Sequence, residues 1–228
     1  MNRLRDMTLV PIKTPKIVKT MFPNYVWDIA TTEKVIYLTF DDGPTPEITN
    51  WTLDLLKTYH AKATFFCIGN NIEKHPELFH NILNEGHVVG NHTLNHVKGW
   101  KTSTEVYLKE IADTQELIDR ETSKLTNYKS SGINLFRPPF GKIKNRQGKA
   151  LAALGYKIIM WDILPFDWKT NTTKDACFKN AIYKTTNGSI VVFHDSVKAS
   201  KNMQYALPKM LEHFTKKGYV FKSLSAVK

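Results

Sequence analysis

At 228 residues the chain is long enough to bury one sizeable core and falls in the range of single-domain α/β barrels. Lysine and arginine outnumber the acids 32 to 21, a net charge of +11 that favours contact with acidic polymers or an anionic surface, peripheral rather than spanning. The basic residues are scattered without helix-turn-helix or zinc-finger spacing, which argues against nucleic acid as a partner, and no run of ~18 apolar residues offers a transmembrane helix.

The chain begins with Arg3 and Arg5, but Pro11, Lys13 and Pro15 break the apolar run that a cleavable signal needs. A cytoplasmic location is therefore expected, with the cell envelope the alternative if a leader has been trimmed. Of the two cysteines, Cys67 lies in the apolar run 63–68 and reads as a buried free thiol, so there is no disulfide argument for secretion. Residues 1–32 carry little periodicity and read as a lead-in packed on one end of the domain formed by 33–228.

Residues 35–40 (VIYLTF) form a nearly continuous β-favouring run, the pattern of a strand buried on both faces, and they lead into Asp41-Asp42-Gly43-Pro44. A helix is predicted over 48–59 and a second buried strand over 63–68. A further helix spans 71–84, with Pro76 and Glu77 at a turn inside it or at its true start, and Gly86 caps it. Residues 87–90 read as a short strand followed by Asn91 to His96. Tyr107, Ile111, Thr114 and Ile118 recur at helical intervals over 104–123, and 127–133 reads as a loop. Residues 135–137 form a short strand running into Pro138-Pro139-Phe140-Gly141, followed by a helix over 145–154. A strand over 156–161 and a helix over 174–185 come next. Residues 189–193 (SIVVF) are another buried strand, ending at His194-Asp195. Leu207, Met210, Leu211 and Phe214 mark the core face of the last helix, and 219–223 supplies a final strand.

This alternation predicts a parallel sheet with crossover helices, closed or nearly closed into a barrel. In such folds the C-terminal ends of the strands share one face, where barrel enzymes keep their active sites. Asp41, Asp42, His92, His96, Arg137, Asp167 and His194 all fall at or just beyond those ends. His92 and His96, four apart, would sit on one face of a helical turn about 5–6 Å apart, suited to gripping one metal ion. One carboxylate of the Asp41-Asp42 pair would complete a two-histidine, one-carboxylate set with positions open for water and substrate, which suits amide hydrolysis. The other could act as general base, kept ionised by Arg137, with His194 as the acid held by Asp167. Which aspartate does which is left open by spacing alone.

With these residues in hand, the chain resembles the polysaccharide deacetylases, the NodB-homology domain of carbohydrate esterase family 4, over about residues 34–223. TFDDGP (39–44) and HTLNH (92–96) match the first two motifs of that family fully; RPPFG (137–141), Asp167-Trp168 and Val192-Phe193-His194 resemble the third, fourth and fifth. The resemblance implies a distorted (β/α)7-8 barrel and a divalent metal, zinc or in its place cobalt or another divalent ion, on Asp42, His92 and His96. It implies Asp41 as base oriented by Arg137, and His194 as acid tuned by Asp167. Pro139, Phe140, Trp168 and Val192 would contact the substrate, with Trp168 and Val192 shaping a pocket for the acetyl methyl group. The reaction implied is N-deacetylation of N-acetylglucosamine units in chitin-like or peptidoglycan chains. Three positions depart from the pattern: Phe140 stands for tyrosine, Leu164 for the first aspartate of the fourth motif, and Val192 for leucine. Two alternatives are an intracellular deacetylase of a small nucleotide-linked or lipid-linked amino sugar, which the apolar 164–166 loop would suit, and a glycan-binding module without catalysis.

Overall fold

The computed structural model describes residues 10–126 and 132–225. In chain order its regular elements are α1 (Lys16–Met21), β1 (Val35–Asp41), α2 (Ile48–Thr58), β2 (Thr64–Cys67), α3 (Gly69–Lys74), α4 (Pro76–Asn84), β3 (Val88–Asn91), α5 (Thr104–Ser123), β4 (Leu135–Phe136), α6 (Asn145–Ala153), β5 (Lys157–Ile158), α7 (Lys174–Ile182), β6 (Ile190–His194), α8 (Val197–Thr215) and β7 (Val220–Lys222). Short 3-10 turns occupy Gly99–Lys101 and Pro139–Gly141.

The strands lie in the order β5-β4-β3-β2-β1-β6, with β7 paired to the N-terminal half of β1, and each of these pairings is parallel. β1 is central, and its apolar run is continuous because both faces are covered. On one side Phe40 stacks on Phe65 and Phe193, and α8 lays Met203, Leu207, Met210, Leu211 and Phe214 into the same core. Around β4 and β5 a second cluster forms where α5 contributes Tyr107 and Ile111 and α6 contributes Leu151. Phe66, Leu135, Ile159, Ile190 and Leu224 fill the space that the curled sheet encloses. The result is a parallel sheet curled into a distorted barrel with helices outside.

Closure between β5 and β6 depends on irregular chain. The strand predicted over 156–161 pairs regularly with β4 only at Lys157–Ile158, because its continuation has to cross the gap in the ring. Met160 N–H turns to the Val26 carbonyl, Asp162 and Ile163 both donate to Ile190 O, and Ile163 bridges Val191 in parallel. The lead-in follows this seam: Lys13 bridges Ile163, Val26 bridges Ile159 and Asp28 bridges Ser189. Asp162, 1% exposed, accepts hydrogen bonds from Lys13, Lys19 and Ser189 at 2.6 Å each, which satisfies a charge that would be costly to bury alone.

Two other expectations change. The helix over 71–84 is two helices, because Pro76 lacks the amide proton and keeps the preceding His75 out of the helical region (φ −135°, ψ 57°). The loop over 127–133 lies outside the described residues except for Gly132 and Ile133. Cys67 and Cys177 are both free and buried, as read for Cys67.

Candidate active site

β1 alternates its side chains, so Thr39 and Asp41 share a face while Asp42 lies past the strand end with φ 77°. Arg137 follows β4 and is wholly buried. Its Nη1 donates to Asp41 Oδ1 at 2.6 Å and to Thr39 Oγ1 at 2.7 Å, its Nη2 to Met160 O at 2.8 Å and its Nε to Ile159 O at 3.3 Å. The guanidinium also lies 4.2 Å from the Phe66 ring centroid. Burial lowers the Arg137 pKa and Asp41 opposes that, so the group is a fixed cation whose orientation three strand ends determine.

Asp42, His92 and His96 bring one ligand atom each to within 4.8 Å of one another. The His92 ring presents Nδ1 to the Arg137 carbonyl oxygen at 2.7 Å; a carbonyl only accepts, so Nδ1 donates there and Nε2 is the nitrogen turned toward Asp42. His92 Nε2 lies 3.6 Å from Asp42 Oδ1, and His96 Nε2 lies 3.1 Å from the same oxygen. Asp42 Oδ1 is buried and accepts no hydrogen bond of good geometry among the described residues, although it sits close enough to both rings to feel them strongly. Burial alone would raise the Asp42 pKa; His92, His96 and the charge of His194 outweigh it and hold the carboxyl well below the usual range. A carboxylate oxygen and two imidazole nitrogens converging in this way are a fit for a divalent cation.

The two histidines are not on a helical turn, which corrects the sequence expectation. The carbonyls of Thr93 and Leu94, which a helix would pair with amides four residues on, instead accept from Gly69 and Asn70 at the start of α3. Asn91 Oδ1 takes the Thr93 amide at 3.0 Å, and Thr93 and His96 adopt left-handed backbone (φ 65° and 55°). The rings nonetheless meet at 5.1 Å, because the loop bends back on itself.

On the far side of β1, His194 ends β6 level with Asp41. Asp167 grips it twice, accepting from its backbone N–H at 2.7 Å and lying 2.9 Å from Nδ1, and also takes the Trp168 amide at 3.1 Å. Burial would lower the His194 pKa; Asp167, Asp42 and Asp41 prevail and raise it to about 9, so the ring is an imidazolium at neutral pH. The Trp168 ring lies 4.6 Å from that of His194. Val192 is buried two residues upstream on β6, on the face His194 uses. Pro139 is buried in the 3-10 turn, and Phe140 (φ 60°) stands exposed with its ring 4.6 Å from His96. Leu164 is buried, and Phe166 (φ 63°) packs against Trp168 at 5.5 Å. Left-handed backbone at Asp42, Thr93, His96, Phe140 and Phe166 thus recurs round the strand ends, as at other functional sites.

Two contributors escaped the sequence reading. Thr39 is one; its place two residues before Asp41 was the available signal. Asp195 is the other, wholly buried behind the carboxylate pair, with Oδ2 accepting from Thr49 Oγ1 at 2.5 Å and Oδ1 without a hydrogen-bond partner among the described residues. Burial raises its pKa to about 8, with Asp42 and Asp41 adding to the rise and the Thr49 hydrogen bond opposing it. Its carboxyl group packs on Gly43, where an added Cβ would come within 2.1 Å of Oδ2.

The arrangement supplies a cation site, a fixed carboxylate beside it and a charged imidazole across from it, the parts required for hydrolysis of an amide. Comparison with known proteins agrees. The profile of the family described as "Polysaccharide deacetylase" matches residues 28–159. A peptidoglycan-N-acetylglucosamine deacetylase of Bacillus cereus is 34% identical over 201 residues, 87% of this chain and 90% of that protein. A peptidoglycan-N-acetylmuramic acid deacetylase of Bacillus subtilis, PdaC, is also 34% identical, over 85% of this chain but only 38% of its own length. The crystal structure of a peptidoglycan N-acetylglucosamine deacetylase in complex with 4-naphthalen-1-yl-N-oxidanyl-benzamide superposes with a TM-score of 0.81 at 32% identity, covering 92% of this chain and 95% of the other. The chain belongs to the polysaccharide deacetylases of carbohydrate esterase family 4.

Proposed function

We propose that this deacetylase hydrolyses the N-acetyl amide of N-acetylglucosamine residues in peptidoglycan, releasing acetate and leaving a free amine on the glycan. The observation that carries the reading is the coexistence, at neighbouring strand ends, of the Asp42-His92-His96 donor set with the Arg137–Asp41 and Asp167–His194 pairs. Asp42, His92 and His96 would hold a divalent ion, zinc by the preference of two imidazoles and a carboxylate, which when bound supplies Lewis-acid polarisation and an acidified water.

The remaining steps fall to the chain. Arg137 occupies Asp41 Oδ1, which leaves Oδ2 to take the proton of the attacking water as general base. The Phe140 backbone N–H offers a donor to the developing oxyanion, a role that any non-proline residue can fill at this position. His194, its Nδ1 held on Asp167, delivers a proton from Nε2 to the departing amine. Trp168 and Val192, with Pro139 at the rim, bound the space for the acetyl methyl group. The catalytic domain is taken as 33–228, with the described lead-in, 10–32, strapped along the β5–β6 seam.

Among the described residues no helix is long and apolar enough to cross a membrane. A wall polymer as substrate favours the cell envelope over the cytoplasm as the place of action, and fractionation of the native protein tests this. The activity test is acetate release from peptidoglycan and from N-acetylglucosamine oligomers, abolished by a chelator and restored by zinc or cobalt. No acetate from any of these substrates after metal reconstitution would sink the reading.

A further inference from the structure

The exposed aromatics of the molecule include two that lie beside the site and are tied to one another. Phe140 is 54% exposed and Trp100 57%. The chain from His96 to Trp100 runs along the chain from Phe140 to Ile143, so closely that a Cβ on Gly99 would fall 2.4 Å from the Lys142 carbonyl oxygen. Rings and ammonium groups interlock across the two segments. Lys98 Nζ lies 4.7 Å from the Phe140 ring centroid, and Lys142 Nζ lies 4.1 Å from the Trp100 ring. The Phe140 ring in turn touches that of His96, so the strip begins at the metal-ligand set and leads away from it.

The strip is also held rigid. Trp100 Nε1 donates to Ile143 O at 3.0 Å, Gln147 Nε2 to Gly99 O at 3.1 Å, and Lys144 Nζ to Thr102 O at 2.7 Å. A large indole pinned by its own N–H yet left mostly in water, rather than folded into the nearby core, is what a recognition surface requires. Neither Lys98 nor Lys142 is paired with a carboxylate among the described residues. Held against ring faces, the two ammonium groups are fixed where an anion would meet them.

We propose that Trp100 and Phe140, with Lys142 and Lys98, form a subsite for a carboxylate-bearing sugar of the glycan next to the one being deacetylated. The apolar face of a pyranose stacks on the rings, and an acid substituent on the sugar itself, of the lactyl ether kind, meets the two ammonium groups. The inference rests on the deacetylase reading above and deepens it, by assigning residues of this chain to the acidic sugar that neighbours the reacting one. A neutral polymer would satisfy the rings and leave both lysines unused.

The test compares acetate release from two peptide-free oligosaccharides of equal length, one of N-acetylglucosamine alone and one alternating N-acetylglucosamine with its 3-O-lactyl acid. The wild-type preference, the ratio of kcat/KM on the acidic chain to that on the neutral chain, should fall about fivefold in Lys98→Gln/Lys142→Gln, through KM more than kcat. Rising salt should erode the wild-type ratio in the same way. Trp100→Ala should raise KM on both chains. An unchanged ratio in the folded double variant overturns the proposal, and so does a salt-independent wild-type ratio should that variant fail to fold. A preference that appears only when peptide stems are present assigns the charge to the stems and likewise overturns it. Release from the neutral chain with none from the acidic chain defeats this inference and the choice of wall glycan but leaves the deacetylase chemistry standing; no release from either chain defeats the deacetylase reading.

Discussion

Arg137 Nη1 donates to Asp41 Oδ1 at 2.6 Å inside a pocket where the arginine has no exposed surface, so the carboxylate beside the cation site is paired before any metal arrives. This separates the two neighbouring acids: Asp41 is held by a guanidinium and Asp42 faces the histidines. Asp41→Asn removes a proton acceptor and leaves the donor set untouched. Activity should fall by about two to four orders of magnitude while bound metal, measured by mass spectrometry, stays near one equivalent. Loss of metal in that variant would reverse the assignment of the pair.

Arg137→Leu tests the other partner. It strands Asp41 in a buried site, while the Thr39 hydroxyl keeps its bond to the Val191 carbonyl, and breaking a buried pair from one side costs about 3–5 kcal/mol. Chemical denaturation should register that loss, and Arg137→Lys should recover only part of it, because an ammonium cannot reach Asp41, Thr39, Ile159 and Met160 in one planar fork.

His92 and His96 differ in what supports them. His92 is 2% exposed and oriented by the Arg137 carbonyl, whereas His96 sits at a left-handed position with its ring against Phe140. Both His92→Ala and His96→Ala should weaken zinc binding in competition with a chromophoric chelator. His92→Ala should be the more severe, since it also frees the carbonyl that ties Arg137 to the site. Equal zinc affinity in wild type and both variants would remove the metal-site claim.

Much of this site was legible in the sequence because strands buried on both faces announce themselves as unbroken apolar runs, and in a parallel barrel each such run ends on the same face. VIYLTF and SIVVF led directly to Asp41 and His194. What stayed hidden depends on contacts that no local pattern encodes. The His92–His96 spacing suggested a helix, but Gly69 and Asn70 capture the carbonyls that a helix would have used. The strand at 156–161 splits its pairing because the ring must close on β6, a demand of the whole barrel rather than of those residues. Trp100 has no signal in the sequence, since only its alignment with Lys142 makes it more than a surface aromatic.

The Asp167–His194 pair gives a pH prediction with a definite sign. The His194 pKa in the metal-free protein is raised to about 9 from 6.5, so the pair's contribution to stability is full below about pH 6.5 and is lost as pH rises through about 9. Asp167→Asn should therefore be less stable than wild type at neutral pH, with the gap closing over that interval. Proton NMR of His194 should show its titration moved to lower pH in the variant. In kcat/KM, the alkaline limb should move the same way, because an acid that loses its proton earlier stops serving the amine earlier.

Asp195 gives a slope of the same sign from an acid in place of a base. A carboxyl group whose folded pKa is raised to about 8 from 3.8 binds a proton in the native state that the unfolded chain has released, so stability declines as pH rises between those values. Asn cannot titrate. Whatever fixed cost the amide carries, the stability of Asp195→Asn relative to wild type should improve steadily from about pH 4 to about pH 8 in metal-free protein, and a pH-independent difference would refute a neutral Asp195.

Gly43 shows why that buried acid matters to the acids in front of it. Asp195 lies against the bare Cα of Gly43, its amide donates to the Asp41 carbonyl at 3.2 Å, and Thr49 holds it through Oδ2 while accepting the Thr45 amide at 2.8 Å. The turn carrying Asp41 and Asp42 is thereby packed on a short, fully buried side chain that has no room to retreat. Gly43→Ala puts a methyl group 2.1–2.5 Å from all three carboxyl atoms of Asp195, so either the acid or the turn must move. Overpacking of this kind costs about 1–3 kcal/mol. If the turn yields, Asp42 shifts away from His92 and His96, and zinc affinity should fall together with stability although Gly43 touches no ion. Asp195→Ala in the same chain should relieve the clash and restore part of both, whereas failure of the double variant to recover either would mean that Gly43 acts through its backbone rather than through the space it leaves for Asp195.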